Sequence, residues 1–212
     1  LKKNNESISP PASFGSWERE DDESLWFQVV GSVVVIGRSK PWEVICDSKN
    51  GRTFLSMKNL GRFSATQREK KLEQFFRDYG VRYHINKARA VSKNLEFLKT
   101  VGGMKKYLAE LNTLQNDEEK ISRFKKDFQQ IGNKTARDFF IEIGFMLDAI
   151  ALDSRVQKIL KAIGINFDIA SEYAEAEKWI LENICKPAGL SGGACDRIMY
   201  QKNDEVIKSL KE

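Results

Sequence analysis

Gln129–Val156 reads QQIGNKTARDFFIEIGFMLDAIALDSRV, and its pattern changes twice. A Gly-bearing turn, Ile131-Gly132-Asn133, is followed at once by Lys134. Ala136, Phe139, Phe140 and Ile143 then fall at i, i+3, i+4 and i+7, the spacing of one helix face. A short apolar run, Ala149–Leu152, ends in Asp153, and a second helical pattern begins with Val156. A turn of this kind presents backbone N–H groups at a helix N-terminus, which suits a phosphate oxygen. Lys134 stands at the positive end of that helix, which disfavours the charged form of its amine. Asp153, opening the next helix, is placed to reach back to it. The stretch reads as an amine nucleophile and a carboxylate partner beside a phosphate-binding loop.

Outward from this stretch, the 212 residues are enough for one large or two small domains with a real core. No run of about 18 apolar residues exists, so no transmembrane helix is expected. Residues 1–20 lack an apolar signal core, and we read an intracellular protein, in cytoplasm or nucleoid, with no membrane partner. Cys46, Cys185 and Cys195 form no C-x-x-C pair, so they build neither a zinc site nor an iron–sulfur cluster at usual spacings. They read as small buried hydrophobes in a reducing compartment, and neither metal nor cofactor is expected.

The net charge of +5 is unevenly placed. Residues 31–140 hold 23 Lys and Arg against 12 Asp and Glu, whereas residues 1–30 and 141–212 are mildly acidic. A basic middle between acidic ends suggests one face for a polyanion, although lysines also simply solvate helices.

Residues 1–20 read as a flexible arm. Asp21–Gly37 reads as a buried helix with an acidic start, although Val33-Val34-Val35 alone would suit a strand. Trp42–Asp47 reads as a short helix and Ser48–Gly61 as loop. Ser64-Ala65-Thr66-Gln67 is a capping box that opens a helix ended by Gly80. Helices follow through Leu95, through Leu108, and from Asn116 through Phe128 into the hairpin. After Asp153 come a helix ended near Gly164, a long one from Tyr173 stopped at Pro187, and a short one over Ser191–Tyr200, then a charged tail. No strand survives this pass, so the fold is all-α.

Four segments carry a family resemblance. Ile131-Gly132-Asn133-Lys134-Thr135-Ala136, with Asp153 nineteen residues after Lys134, resembles the helix-hairpin-helix and following loop of the DNA base-excision glycosylases that include endonuclease III and 8-oxoguanine DNA glycosylase. Phe128-Gln129-Gln130 stands where Pro and Gly are usual in that hairpin. Phe76-Arg77-Asp78-Tyr79-Gly80-Val81-Arg82-Tyr83-His84-Ile85-Asn86-Lys87-Ala88 is similar to another element of the family, and Asp22–Ser39 to its first core helix. Gly189-Leu190 with Asp196–Tyr200 resembles the C-terminal helix of archaeal-type members. Four clustered cysteines would mark the endonuclease III type. Their lack points to the cluster-free 8-oxoguanine branch.

The resemblance implies two helical subdomains with the hairpin at the cleft between them, one built from residues 31–138 and the other from 21–30 plus 139–212. It implies a bifunctional glycosylase and lyase acting as a monomer on damaged double-stranded DNA, with an oxidised purine such as 8-oxoguanine as target. Lys134 would attack C1′ of the nucleotide and form a Schiff base. Asp153 would stabilise the developing sugar cation, and its bland reading is an N-cap of the next helix. Gly132 with the N–H groups of Asn133 and Lys134 would hold a phosphate, and Arg155 would contact another. Arg38, Lys40, Lys87 and Arg89 are candidate backbone contacts, each equally at home on a solvated surface. Trp26, Phe27, Trp42, Phe139, Met199 and Tyr200 are candidate walls for a flipped base and suit helical cores as well. Asp138, one turn after Lys134, sits where the family often places a base-flanking side chain. His84, the sole histidine, has no place in a lysine mechanism. A glycosylase for another damaged base, a non-catalytic hairpin module that binds DNA, and a helical scaffold without nucleic acid are the other readings.

Overall fold

The computed structural model describes Ile8 and residues 10–210. The chain divides into two compact units, Trp17–Phe139 and Phe140–Glu212 together with Leu1–Ser16. Every regular element among the described residues is helical.

The first unit is organised around α1 (Asp22–Val34). Asp21 caps it, accepting from Ser24 N at 2.6 Å. Its apolar residues are buried nearly all round, so Val33 and Val34 continue the helix instead of starting a strand. The acidic first turn serves other helices. Glu23 accepts from Met57 N at 2.7 Å and Lys58 N at 2.9 Å. Asp22 accepts from Lys105 N at 2.8 Å. The Trp26 indole N–H donates to Leu55 O at 2.8 Å. These bonds place residues 21–30 with the middle of the chain, where the sequence had suggested a share in the C-terminal body. They also explain Gly103, whose φ is 111° and where a Cβ would sit 2.9 Å from the Asp22 carboxylate.

The helices that follow are α2 (Lys40–Asp47), α3 (Gly51–Leu55) and α4 (Met57–Leu60). The last two lie in the segment read as loop. Each is too short to show a helical period, and α4 is started from outside by Glu23. Next come α5 (Ala65–Asp78), α6 (His84–Val101), α7 (Met104–Asn112), α8 (Asp117–Asp127) and α9 (Asn133–Glu142). The capping box at Ser64 and Gln67 forms as read. Buried Arg68 ties α5 to α6 through Glu96 and through Ser92 Oγ at 2.9 Å. Leu72 and Phe76 from α5 and Leu95 from α6 are fully buried, each contributing roughly 1.5–3 kcal/mol.

The second unit holds α10 (Ser154–Ala162), α11 (Tyr173–Ile180), α12 (Lys186–Ala188), α13 (Gly192–Gln201) and α14 (Asn203–Ser209). The long helix expected from Tyr173 passes through a π turn, Leu181–Cys185, in which Lys186 N–H reaches back to Leu181 O. Pro187 has no N–H to continue the ladder. The expected charged tail carries α14, because Val206 is buried against the core of Leu152, Val156, Ile159 and Ile198. Of the arm expected over residues 1–20, residues 1–7 and 9 lie outside the described residues. The rest is held down: Ile8 joins the same core, and Gly15 N donates to Gly144 O at 2.8 Å. Among the described residues no helix is long and apolar enough to cross a membrane.

Candidate active site and nucleic-acid interface

The hairpin between α8 and α9 is fixed from beneath. Phe128 is buried against Phe97 and Tyr107, each at a centroid distance of 5.3 Å, and against Phe124 at 4.6 Å. Buried Asn94 on α6 grips the turn from both sides. Its Oδ1 accepts from Gln129 N at 2.7 Å and its Nδ2 donates to Gln129 O at 3.2 Å. Gln130 follows with φ of 63°, a left-handed conformation that glycine adopts without strain. Arg137, buried on α9, pairs with Glu118 at the start of α8, and the Lys125 ammonium donates to Asn133 Oδ1.

Gly132 is exposed at the N-terminus of α9, and its carbonyl accepts from Ala136 N at 2.9 Å. A Cβ built there meets nothing within 4 Å. The open space lies beside N–H groups that have no partner within their own helix. Gly132 also lacks a side chain that would cap them. This is a site for an anion's close approach.

Lys134 stands in the first turn of α9. Its ammonium pairs with the Asp138 carboxylate one turn on, and the two side chains are 37% and 36% exposed. The sequence had suggested Asp153 as the lysine's carboxylate. Within its own unit the amine already has Asp138. Asp153 caps α10: its Oδ1 accepts from Arg155 N at 2.8 Å and Val156 N at 3.0 Å. Its Oδ2 lies 3.5 Å from the Arg155 guanidinium, which also covers the Tyr200 ring at 4.1 Å. Asp153, Arg155 and half-exposed Tyr200 thus form one group in the second unit, and Gly132, Asn133, Lys134 and Asp138 another in the first.

Several candidates take other duties. Lys87 is no surface contact. It is buried, and its ammonium donates to Val34 O at 2.8 Å and Ile36 O at 2.7 Å, closing the C-terminus of α1. Burial, and secondarily the charge of Arg82, pulls its pKa down to about 8. Trp26 and Met199 are core residues of their respective units, and Phe139 is buried and stacked on Phe124 at 5.0 Å. Phe27 and Trp42 pack against each other with tilted rings, centroids 4.6 Å apart, and Trp42 packs on Gly31, where a Cβ would stand 2.6 Å from its ring. Arg38 and Arg89 are exposed, as is Lys40, which pairs with Glu43 at 3.1 Å.

Two residues escaped the sequence reading. Asn94 gave no local signal, because its partner lies 35 positions away. Tyr83 is 62% exposed with φ of 56°, and the Arg82 guanidinium lies 5.8 Å from its ring. An exposed aromatic face beside a cation suits a nucleic-acid base. Among the described residues no cluster of His, Cys, Asp and Glu is suited to a metal ion.

Comparison with known proteins gives a consistent picture. The family described as Ogg-HhH, 8-oxoguanine DNA glycosylase, matches residues 45–190, which span the hairpin, Lys134 and Asp153. The crystal structure of Methanocaldococcus jannaschii 8-oxoguanine DNA glycosylase is similar in fold, with a TM-score of 0.69 at 18% identity over 90% of this chain and 83% of that one. The 8-oxoguanine glycosylase/lyase of the same organism, in complex with 15mer DNA containing 8-oxoguanine, gives 0.69 at 16% identity over 96% and 89%. The 8-oxoguanine DNA glycosylase of Thermotoga maritima gives 0.65 at 19% identity over 87% and 81%. No curated protein matches this chain.

Proposed function

The chain belongs to the 8-oxoguanine DNA glycosylase family, and from that premise we propose that it excises 8-oxoguanine from duplex DNA and cuts the strand through an imine on Lys134. The observation that carries this reading is the placement of Lys134 in the first turn of α9, directly after the open glycine turn, with its amine partly exposed beside Asp138.

The residues divide the chemistry as follows. The N–H groups of Asn133 and Lys134, beside Gly132, bind a backbone phosphate and set the register of the duplex. Arg155 contacts a further backbone phosphate. The Lys134 ammonium must give up a proton before it can attack, and Asp138 is the carboxylate in contact with it. The neutral amine bonds to C1′ as the bond from C1′ to the base nitrogen breaks. The base leaves with the electron pair and takes up a proton. Asp153 supplies negative charge against the positive charge that builds on the sugar as the base departs. The C1′–O4′ bond then breaks, O4′ leaving with the electron pair and taking up a proton as the Lys134 nitrogen gives one up, and a C=N bond forms between Lys134 and C1′. Loss of a C2′ proton sends electrons toward that imine and expels the 3′ phosphate, which cuts the strand.

Single-turnover excision on an 8-oxoguanine duplex tests the proposal. Lys134→Gln is expected to lower the excision rate by at least about a thousandfold, the loss seen when a covalent nucleophile is removed, with duplex affinity kept within severalfold. A variant that releases the base at the rate of the parent would overturn the assignment, and release of a different lesion in preference would move the substrate.

A further inference from the structure

Asp153 is delivered by a segment, residues 147–152, that belongs to no helix, and side chains hold its backbone in place. The N–H groups of three consecutive residues each find a buried acceptor from elsewhere in the second unit. Ile150 N donates to the Glu177 carboxylate at 2.8 Å, Ala151 N to Asp196 at 2.8 Å, and Leu152 N to the Tyr173 hydroxyl at 2.8 Å. The same hydroxyl donates to Ile150 O at 3.0 Å. Each of these three residues is only 7% exposed. The start of α13 closes the other end. Gly193 N donates to Leu147 O at 2.8 Å and Gly192 N to Asp148 at 3.0 Å. A Cβ on Gly192 would stand 2.7 Å from Ala149 N, so the glycine pair is what allows this approach.

Burying two carboxylates and a phenol is costly unless each is hydrogen-bonded. Here all three are turned on the backbone of the segment that ends in Asp153. We propose that Tyr173, Glu177 and Asp196 are positioning residues that set the place of the Asp153 carboxylate for the excision step. This rests on the role given to Asp153 above. Tyr173 is the most direct of the three, because its hydroxyl binds the N–H immediately before Asp153.

Tyr173→Phe removes one oxygen and keeps the ring in the core. Its single-turnover excision rate on an 8-oxoguanine duplex is expected to fall about tenfold, since small misplacements of a reacting group are costly, with the duplex Kd unchanged within about twofold. In an Asp153→Asn background the same change is expected to have no further effect, because it acts through that carboxylate. Glu177→Gln, which keeps an acceptor oxygen, should retain the rate that Glu177→Leu loses. An unchanged rate in Tyr173→Phe, an equal fall in both backgrounds, or a loss confined to Kd overturns the proposal. If Asp153→Asn alone leaves the rate intact, the role of Asp153 falls first and takes its supports with it. A rate lost on Asp153→Asn but kept in Tyr173→Phe removes only the positioning role.

Discussion

Gln130 holds a backbone angle of +63° at the point where α8 gives way to α9. An L side chain there costs about 1–2 kcal/mol, of which the freedom glycine adds to the unfolded chain takes back about half. Gln130→Gly is therefore expected to stabilise the protein by up to about 1 kcal/mol in urea denaturation, and Gln130→Val to destabilise it. A net loss with glycine would mean that the side chain carries the turn. Lys87 poses a different question at the same scale. Its native pKa of about 8 lies below the ordinary lysine value, so between the two the unfolded chain binds the proton and the native chain does not. Stability should accordingly rise with pH from about 8 toward the unfolded lysine value of about 10.4, relative to Lys87→Met. Denaturation of both proteins at pH 7 and pH 10 measures this, and a constant difference between them contradicts it. The sequence placed Lys87 on the surface because lysine is seldom buried. Its two carbonyl acceptors lie 53 and 51 positions away, beyond the reach of any local pattern.

Among the elements, the hairpin shows what local pattern can and cannot carry. The turn, Lys134 and the amphipathic face of α9 were legible because the helical period and the end signals lie within one short window. Asp153 as the cap of α10 was legible for the same reason. The grip of Asn94 on Gln129 was not, since an asparagine inside α6 looks like any polar helical residue. Asn94→Ala removes both hydrogen bonds to the Gln129 backbone and, at about 0.5–1.5 kcal/mol for each, should cost about 1–3 kcal/mol in thermal unfolding. It should also weaken duplex binding, because the hairpin loses its register on α6. A variant as stable as the parent would show that the aromatic residues around Phe128 hold the turn unaided. The helices α3 and α4 and the π turn after α11 went unread because none spans two full helical periods.

At the scale of the whole molecule, the all-α class followed from the absence of any period-two run, and the order of the segments followed the family. The partition did not. The acidic turn of α1 looked like complement to its own dipole, yet Asp22 and Glu23 bind the starts of α7 and α4 and draw α1 into the first unit. The basic excess lies mostly in that same unit, which carries the hairpin and the exposed Tyr83. Fold similarity at 16–19% identity leaves the chemistry to individual side chains, and the one on which the account turns is the amine of Lys134. Borohydride reduction during reaction with an 8-oxoguanine duplex reads that amine directly, since it converts the imine to a stable bond between protein and strand. The parent protein should give a covalent adduct of protein plus DNA, and Lys134→Gln should give none. An adduct of equal yield from Lys134→Gln would contradict the account.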